Sequence, residues 1–496
     1  MRVWERNQMN SRRFAGAFAA GSRAAHPRGR SAAGFHATVI VLTVAISTLA
    51  SPATAQQHNP TTRPNVLFIV ADDLRNSLGA YGDTAVRSPN FDRLARRGVL
   101  FERAYVQYPV CNPSRASILT GLLPESTRVL GNEVFFRTTL PNIVTLPQLL
   151  KEHGYFTASL GKIFHRGGTM EDPRDSWADA VSWSHIRFYQ STPKGLQGEG
   201  RNLTGGALLW ARWLAADGTD EDQPDGQIAA EAVRLIEEKR NAPFFIGIGF
   251  HKPHDPFIAP KKYFDMYPLD RIELFRDPPN RSPEEPRAIP NAFHEFESFT
   301  DQERREFKRA YLAGVSFMDA QLGKVLDALD RTGGWDNTVI VFVGDHGYHL
   351  GERGWWNKST LFELSARAPL VVYAPRAKGN GRTARGIVEF VDLYPTLIEM
   401  AGLTAPHKLA GTTLTPLLDN PAHAGKQFAY TVVTRGNILG RTIRTDRWRY
   451  TEWDGGKDGV ELYDHRTDAG EYHNLARDVR HRATVITLKA LLNTQR

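Results

Sequence analysis

Cysteine is almost absent from this chain of 496 residues, since Cys111 is the only one. A single cysteine cannot form a disulfide within the chain, so its role lies in packing or in reactivity. Free cysteines are usually buried, which makes packing the ordinary interpretation. However, Cys111 is followed by Asn112-Pro113-Ser114-Arg115 and by a pattern typical of a helix start, with Pro113 in the first turn. Helix N–H groups and a guanidinium favour an anion here, and therefore a reactive position.

An apolar run long enough to span a bilayer comfortably is also lacking. The apolar stretch at residues 38–50 is too short, and it is preceded by seven arginines and followed by the small-x-small site Ala53-Thr54-Ala55. We therefore predict a signal peptide over residues 1–55, export to the periplasm or out of the cell, and no stable membrane insertion after cleavage. An uncleaved membrane anchor is the alternative.

The mature chain has little excess charge of either sign. The leader carries seven arginines and one glutamate, so the formal net charge of +8 falls to about +2 once it is removed. This weak charge gives no compositional support for nucleic acid as a partner, and we expect none. The remaining length is more than one core usually supports, so we predict a catalytic domain over 56–425 and a smaller C-terminal subdomain over 426–496.

Short apolar runs alternate with helical patterns along the chain. The strand candidates are 65–71, 155–160, 244–249, 339–343 and 370–373, and the helix candidates are 90–97, 146–153, 226–239 and 301–330, the last with Thr300 as N-cap. This alternation predicts an α/β fold with a mostly parallel sheet sandwiched by helices. We predict that segment 268–300 forms a long surface loop. Residues 440–450 and 460–463 indicate short antiparallel strands before a final helix, and thus a smaller C-terminal α+β domain.

Acidic residues follow two of the strand candidates directly. Asp72 and Asp73 follow strand 65–71, and Asp345 and His346 follow strand 339–343 by way of one glycine. Ligands of such sheets bind at the carboxyl ends of the strands. Three carboxylates crowded there raise one another's pKa unless a cation is present, and oxygen donors favour Ca²⁺ or Mg²⁺, whereas imidazole suits softer metals. The alternative is that the aspartates cap helices or order loops.

A set of basic residues follows other strand candidates. Lys162 and His165 follow strand 155–160, His254 follows strand 244–249, and Lys358 lies just beyond Asp345-His346. Each of them alone is usually a surface or structural residue. Together with Arg115 and a metal ion they predict a pocket for a doubly charged tetrahedral oxyanion.

The Cys111 motif and five further stretches in order over residues 63–478 now carry a resemblance. The motif is Cys111-x-Pro113-Ser114-Arg115 with Leu119-Thr120-Gly121, and the stretches are ADDLRNSLGAYGDTAVRSPNFDRLA, GKIFH, HKPHDPF, GDHGYHLGERGWWNK and ELYDHRTDAGEYHNLA. The chain resembles the type I sulfatases of the alkaline phosphatase superfamily, and within them the iduronate-2-sulfatase branch. The resemblance implies an alkaline phosphatase-like fold and a sulfuric ester hydrolase.

The resemblance also implies a cofactor chemistry. In that family a separate maturation enzyme oxidises the cysteine to formylglycine (3-oxoalanine), whose hydrated form attacks sulfur. By this likeness Ca²⁺ is held by Asp72, Asp73, Asp345, His346 and the formylglycine made from Cys111. Arg115 holds the formylglycine, while Lys162, His254 and Lys358 bind sulfate and assist the leaving group. His165 then deprotonates the second hydroxyl so that sulfate departs.

The substrate stays more open than the chemistry. The first hypothesis is a secreted sulfatase acting on a sulfated carbohydrate, a uronate-containing polysaccharide or oligosaccharide. The second is a phosphate or phosphonate ester hydrolase of the same superfamily, because a pocket for sulfate also suits phosphate. The third is a pseudoenzyme that only binds sulfated glycans.

Overall fold

The computed structural model describes residues 63–165 and 176–495. The predicted signal peptide at residues 1–55 lies outside these ranges. Inside them, no helix combines the length and the apolar character that crossing a membrane requires.

The described ranges contain strands and helices in frequent alternation. The strands are β1 Asn65–Asp72, β2 Val99–Tyr105, β3 Phe156–Gly161, β4 His185–Arg187, β5 Gly198–Asn202, β6 Arg212–Ala216, β7 Phe244–Pro253, β8 Phe257–Pro260, β9 Thr338–Gly344, β10 Leu370–Tyr373, β11 Thr383–Glu389, β12 Phe428–Arg435, β13 Ile438–Thr445, β14 Trp448–Trp453 and β15 Val460–Asp464. The helices are α1 Pro89–Arg97, α2 Cys111–Thr120, α3 Pro124–Thr127, α4 Phe136–Thr139, α5 Leu146–Glu152, α6 Pro224–Lys239, α7 Lys261–Phe264, α8 Asp301–Thr332, α9 Glu363–Ala366, α10 Leu393–Met400, α11 Thr415–Asp419 and α12 Arg482–Asn493. Every predicted strand and helix of the α/β part is confirmed to within about two residues, except that β7 continues four residues beyond the predicted end at 249.

The central sheet has eight strands in the order β11-β2-β10-β9-β1-β7-β3-β4. All neighbours pair in parallel except β10, which runs antiparallel to both β9 and β2. The prediction of a mostly parallel sheet is therefore confirmed. Strands β2 and β11 were not predicted from the sequence, because polar residues such as Glu102, Arg103 and Arg385 interrupt their apolar pattern.

Helices cover both faces of this sheet. In β1, Leu67 and Ile69 pack into a core with α1, α6 and α8, whereas Val66 and Phe68 pack into a second core with α2, α5 and α10. The period-2 alternation of a strand explains this division, because successive side chains point to opposite faces. A strand buried on both faces carries a nearly continuous apolar run, and all residues of β1 are buried, with polar side chains only at its two ends.

The C-terminal part forms a separate antiparallel sheet in the order β12-β13-β14-β15, on which α12 packs. This confirms the predicted α+β character, and residues 440–450 belong to two strands, β13 and β14, whose boundary the sequence did not locate. The chain reverses between Thr445 and Trp448, where the Trp448 amide donates to Thr445 Oγ1 at 2.9 Å. The pattern of apolar residues does not reveal such a turn, because both strands carry the same pattern. The boundary at residue 425 stays a prediction.

Helix α8 begins with the capping arrangement that its sequence predicts. The Glu303 amide donates to Thr300 Oγ1 at 3.3 Å, and the Thr300 amide donates to Glu303 Oε2 at 2.8 Å. Replacing Thr300 by alanine should lower the free energy of unfolding by about 1 kcal/mol, because an N–H of the first turn loses its acceptor. Urea unfolding measures this, with Thr300→Ser as the matched control. Equal stability of the two variants would contradict the capping role.

Candidate active site

The two acidic clusters meet at one edge of the central sheet. Strands β1 and β9 are parallel neighbours in register, with Ala71 opposite Gly344. Asp72 and Asp73 therefore leave the sheet beside Asp345, and the Asp73 amide donates to Asp345 Oδ1 at 3.0 Å. All three carboxylates are at most 1% exposed. The strand-end prediction for these residues is thus matched by their positions.

Helix α2 carries Cys111 and Arg115 into the same place. It begins at Cys111, two residues earlier than the sequence indicated, so that Cys111 is its first residue and Pro113 still lies in the first turn. Residues four apart share one face of a helix, which brings both side chains toward the aspartates. Both residues are buried, with Cys111 fully inaccessible.

Arg115 joins the ends of the two strands. Its Nε donates to Asp345 Oδ2 at 2.9 Å, and its Nη2 donates to Asp72 Oδ1 at 3.1 Å. Its Nη1 donates to the carbonyl oxygens of Lys162 and, at 3.1 Å, of Ile163. Burial by itself lowers the pKa of Arg115, but the charges of Asp345 and Asp72 outweigh burial and raise it. The guanidinium is therefore a permanent charge that compensates two carboxylates.

Two lysines balance the remaining negative charge of the aspartates. Lys162 Nζ lies 2.6 Å from Asp72 Oδ2, while Lys358 Nζ forms an ion pair with Asp73 and lies 3.2 Å from Cys111 Sγ. Burial opposes their positive charge, but the carboxylates raise the pKa of both. For Asp72, burial raises the pKa, yet Lys162, His254 and Arg115 together hold it well below its ordinary value.

The thiol of Cys111 is protonated in these surroundings. Its Sγ lies 3.4 Å from His346 Nε2 and 3.7 Å from Asp73 Oδ1. Burial, followed by the charge of Asp72, raises its pKa well above the ordinary value, although Lys162 and Lys358 oppose the rise. Since the thiolate is the reactive form of cysteine, the encoded side chain is a poor nucleophile where it stands.

The two remaining predicted residues lie at the margin of this cluster. His254 Nε2 is 3.9 Å from Asp73 Oδ2, and its side chain is 24% exposed, so it faces the open side of the site. His165 packs near Trp177, with the ring centroids 6.3 Å apart, and its buried Nδ1 has no partner among the described residues. Burial and then Lys162 lower the pKa of His165 to about 2, so its imidazole is neutral.

The buried donor atoms lie close enough together to hold a metal ion. Ligand atoms of Asp72, Asp73, Cys111 and His254 lie within 4.8 Å of one another, as do those of Cys111, Asp345 and His346. Asp73 Oδ2 is buried without a hydrogen-bond partner in the described part of the chain. His346 Nδ1 lies 2.9 Å from the carbonyl oxygen of Gly347, which leaves the Nε2 lone pair directed at the aspartates. Burial lowers the pKa of His346, so it stays neutral and able to coordinate.

The sequence did not predict two residues, Asp225 and Tyr311, that form hydrogen bonds with the backbone of the site. Asp225 accepts from the amides of His251 at 2.8 Å and Lys252 at 2.9 Å, which orders the segment before His254. Tyr311 on α8 donates to the carbonyl oxygen of Asp73 at 2.8 Å. Asp225 resembles an ordinary acidic residue in the first turn of α6, so no sequence signal distinguishes it.

Comparison with known proteins gives consistent matches. The family model described as Sulfatase matches residues 64–403, and the one described as N-sulphoglucosamine sulphohydrolase, C-terminal, matches residues 351–496. The chain is 37% identical over 402 residues to "Iduronate 2-sulfatase" of Mus musculus, covering 72% of each chain. It is 32% identical over 454 residues to "Sulfatase" of Formosa agariphila, covering 87% of this chain and 86% of the relative. These matches confirm the resemblance that the motifs indicated.

A solved structure shares the fold at lower identity. The phosphonate monoester hydrolase of Agrobacterium radiobacter superposes with a TM-score of 0.71 at 24% identity, over 87% of this chain and 96% of that chain. Likeness at this identity concerns the fold alone, and it confirms the predicted architecture. The choice between sulfate and phosphonate chemistry therefore depends on the site residues and on the sequence relatives.

Removing Arg115 should destabilise the protein strongly. Arg115→Met leaves Asp72 and Asp345 buried without their shared partner, and loss of one partner of a buried ion pair costs about 3–5 kcal/mol. Urea unfolding with a chelator present measures the change. The matched control is Arg480→Met, which removes an exposed ion pair with Asp478 and should change stability little. Similar effects of both substitutions would contradict the role given to Arg115.

Proposed function

The chain belongs to the sulfatase family and is a sulfuric ester hydrolase, and on that premise we propose that it removes sulfate from a sulfated, uronate-containing polysaccharide or oligosaccharide. The observation that carries this proposal is the convergence of Cys111, three carboxylates and three buried cations at one sheet edge. The name of the mouse relative supports a uronic acid in the substrate, since iduronate is one.

We propose further that Cys111 is a precursor. A separate maturation enzyme would convert it to formylglycine, in keeping with the family motif at Cys111-x-Pro113-Ser114-Arg115. The buried, protonated thiol supports this, because it is poorly suited to attack a sulfate ester itself. The hydrated aldehyde would supply an oxygen nucleophile and a second hydroxyl whose deprotonation releases the product.

Calcium is the metal that the donor set favours in this proposal. Asp72, Asp73, Asp345 and His346 would hold it together with the modified residue 111. The unpartnered Asp73 Oδ2 supports such a site, because a buried carboxylate oxygen without a donor is otherwise unfavourable. Bound Ca²⁺ would lower the pKa of a hydroxyl at residue 111 toward neutral pH.

The surrounding side chains then have separate tasks. Lys162 and Lys358, which pair with Asp72 and Asp73, would stabilise the charge of the sulfate oxygens. Either Lys358 or the partly exposed His254 would protonate the departing alcohol. His165 would deprotonate the second hydroxyl of residue 111 so that sulfate departs. Arg115 would orient residue 111 by keeping both strand ends in place.

The leader and the domain boundary complete the proposal. Export to the periplasm or out of the cell follows from the arginine-rich and apolar pattern of residues 1–55. The catalytic domain would end near residue 425, just before β12 opens the C-terminal sheet.

Sulfate release tests the reaction. With a co-expressed maturation enzyme, the wild type should release inorganic sulfate from sulfated uronate oligosaccharides, and the mass of the Cys111 peptide should fall by about 18 Da. Cys111→Ala should lower turnover by at least about 10⁴-fold with little loss of stability, because the exchange is small-for-small. Active enzyme that carries an unmodified Cys111 would contradict the formylglycine proposal. Higher efficiency on aryl phosphate or phosphonate than on aryl sulfate would favour the other ester class.

Calcium binding is testable without turnover. At 100-fold excess over its dissociation constant, Ca²⁺ should stabilise the wild type by about 2.7 kcal/mol, seen as a rise of the thermal midpoint over the chelated protein. Asp73→Asn should abolish most of this rise because it weakens a ligand. Asp327→Asn, at an exposed carboxylate on α8, is the matched control and should retain it. An equal rise in both variants would place the calcium elsewhere.

A further inference from the structure

Arg435 at the end of β12 is a largely enclosed cation without an acidic partner. Its Nη2 donates to the carbonyl oxygens of Ser359 at 2.5 Å and of Ala288 at 3.4 Å, and its Nη1 donates to that of Thr434 at 3.1 Å. Its buried Nε has no hydrogen-bond partner among the described residues. Its guanidinium lies 5.3 Å from the ring centroid of Trp453. These partners orient the guanidinium but leave its charge uncompensated.

No carboxylate of the described chain forms an ion pair with Arg435, whereas the neighbouring arginines Arg441, Arg444 and Arg449 all have acidic partners. The charge of Glu461 raises the pKa of Arg435, but its oxygens bind elsewhere. They accept from Trp453 Nε1 at 3.0 Å and from the Tyr463 hydroxyl at 2.9 Å. Burial lowers the pKa of Arg435 to about 10, so the guanidinium is charged at neutral pH but unfavourably placed. A bound anion would remove that disadvantage.

An open cavity of about 590 Å³ lies against Arg435, within the range of ligand pockets. We call it the Arg435 cavity; its polar lining comes from Arg287, Asn291, Asn357, Ser359, Thr434 and Arg435. Among the described residues its lining contains two arginines and no aspartate or glutamate. Arg287 is exposed and pairs with Asp458, so Arg435 is the lining arginine that lacks an acid. The cavity therefore has a positive character that suits an anionic ligand.

The cavity shares a loop with the active site. Asn357 and Ser359, which line it, flank Lys358, whose Nζ lies 3.2 Å from Cys111 Sγ. Trp355 also lines it and donates from Nε1 to the carbonyl oxygen of Lys358 at 2.8 Å. A ligand in the cavity thus contacts the segment that positions a catalytic lysine.

Aromatic side chains give the cavity an apolar face. Phe293 stacks on Trp355, with ring centroids 5.8 Å apart and an interplanar angle of 27°. Phe293 adopts a φ of 57°, a left-handed conformation that is uncommon for a bulky residue. Flat aromatic walls beside polar donors suit a sugar ring, which has both apolar faces and polar edges.

We propose that the Arg435 cavity is a subsite for a uronic acid residue of the carbohydrate substrate, whose carboxylate pairs with Arg435. This rests on the proposed function, because it assigns a second acidic sugar unit to the same substrate chain. The subsite would select substrates by charge at a distance from the sulfate ester. Arg435 is then a specificity residue, and it takes no part in the reaction itself.

The test separates charge recognition from a structural role. The probes are a sulfated oligosaccharide that carries one uronic acid on a unit other than the sulfated one, and the same oligosaccharide with that carboxylate reduced to an alcohol. Binding is measured by calorimetry to Cys111→Ala and to Cys111→Ala/Arg435→Met. Loss of Arg435 should weaken the carboxylate form roughly tenfold or more and the reduced form by about twofold or less, as expected for one charge-assisted hydrogen bond. Arg435→Lys should restore part of the difference.

Controls make each result decisive. Arg447→Met, at the β13–β14 turn, should change neither affinity. Equal weakening of both probes by Arg435→Met would overturn the inference and leave Arg435 as a clamp on the Ser359 carbonyl. Equal affinity of the Cys111→Ala parent for both probes would overturn it as well. If Arg435→Met does not fold, Arg435→Lys alone should still weaken the carboxylate form selectively, by about threefold. A matured wild type that releases no sulfate from any sulfated sugar would refute the proposed function, while the binding comparison would still decide the subsite.

Discussion

A single buried guanidinium holds the catalytic edge of this protein together. Arg115 donates at the same time to Asp72 at the end of β1 and to Asp345 just beyond the neighbouring strand β9. Without it, carboxylates at two adjacent strand ends would repel each other in a region that water does not reach. Helix α2 is entirely buried because it must bring this side chain, and Cys111 one turn earlier, onto the end of the sheet.

The charges around Cys111 suit a different group from the one encoded there. Three carboxylates face Arg115, Lys162 and Lys358, so the cluster is balanced as it stands. In this balance the thiol stays protonated, and Asp73 keeps one oxygen without a donor. An oxygen-bearing group at position 111 with a divalent cation would use both features. The lysines, released from the aspartates, would then be free to contact a sulfate.

Chemistry and specificity occupy different parts of the fold. The catalytic edge is built by β1, β9 and α2, whose residues are all buried. The Arg435 cavity lies between the loop around Lys358 and the end of β12 in the C-terminal sheet. Since loops vary more readily than cores, such a division lets one reaction serve many substrates. The small C-terminal sheet thereby contributes a wall to the substrate site as well as a core of its own.

Much of this protein was predictable from the sequence alone. Continuous apolar runs identified β1, β7 and β9, because strands buried on both faces are apolar along most of their length. The strand-end rule placed Asp72, Asp73 and Asp345 together. The motif around Cys111 identified the family. Three features needed the tertiary structure: the antiparallel β10, the turn between Thr445 and Trp448, and the isolated charge of Arg435. Strand direction, a reversal between two similar apolar strands and the absence of a counter-charge all depend on what lies nearby in space, and local sequence patterns do not record spatial neighbours.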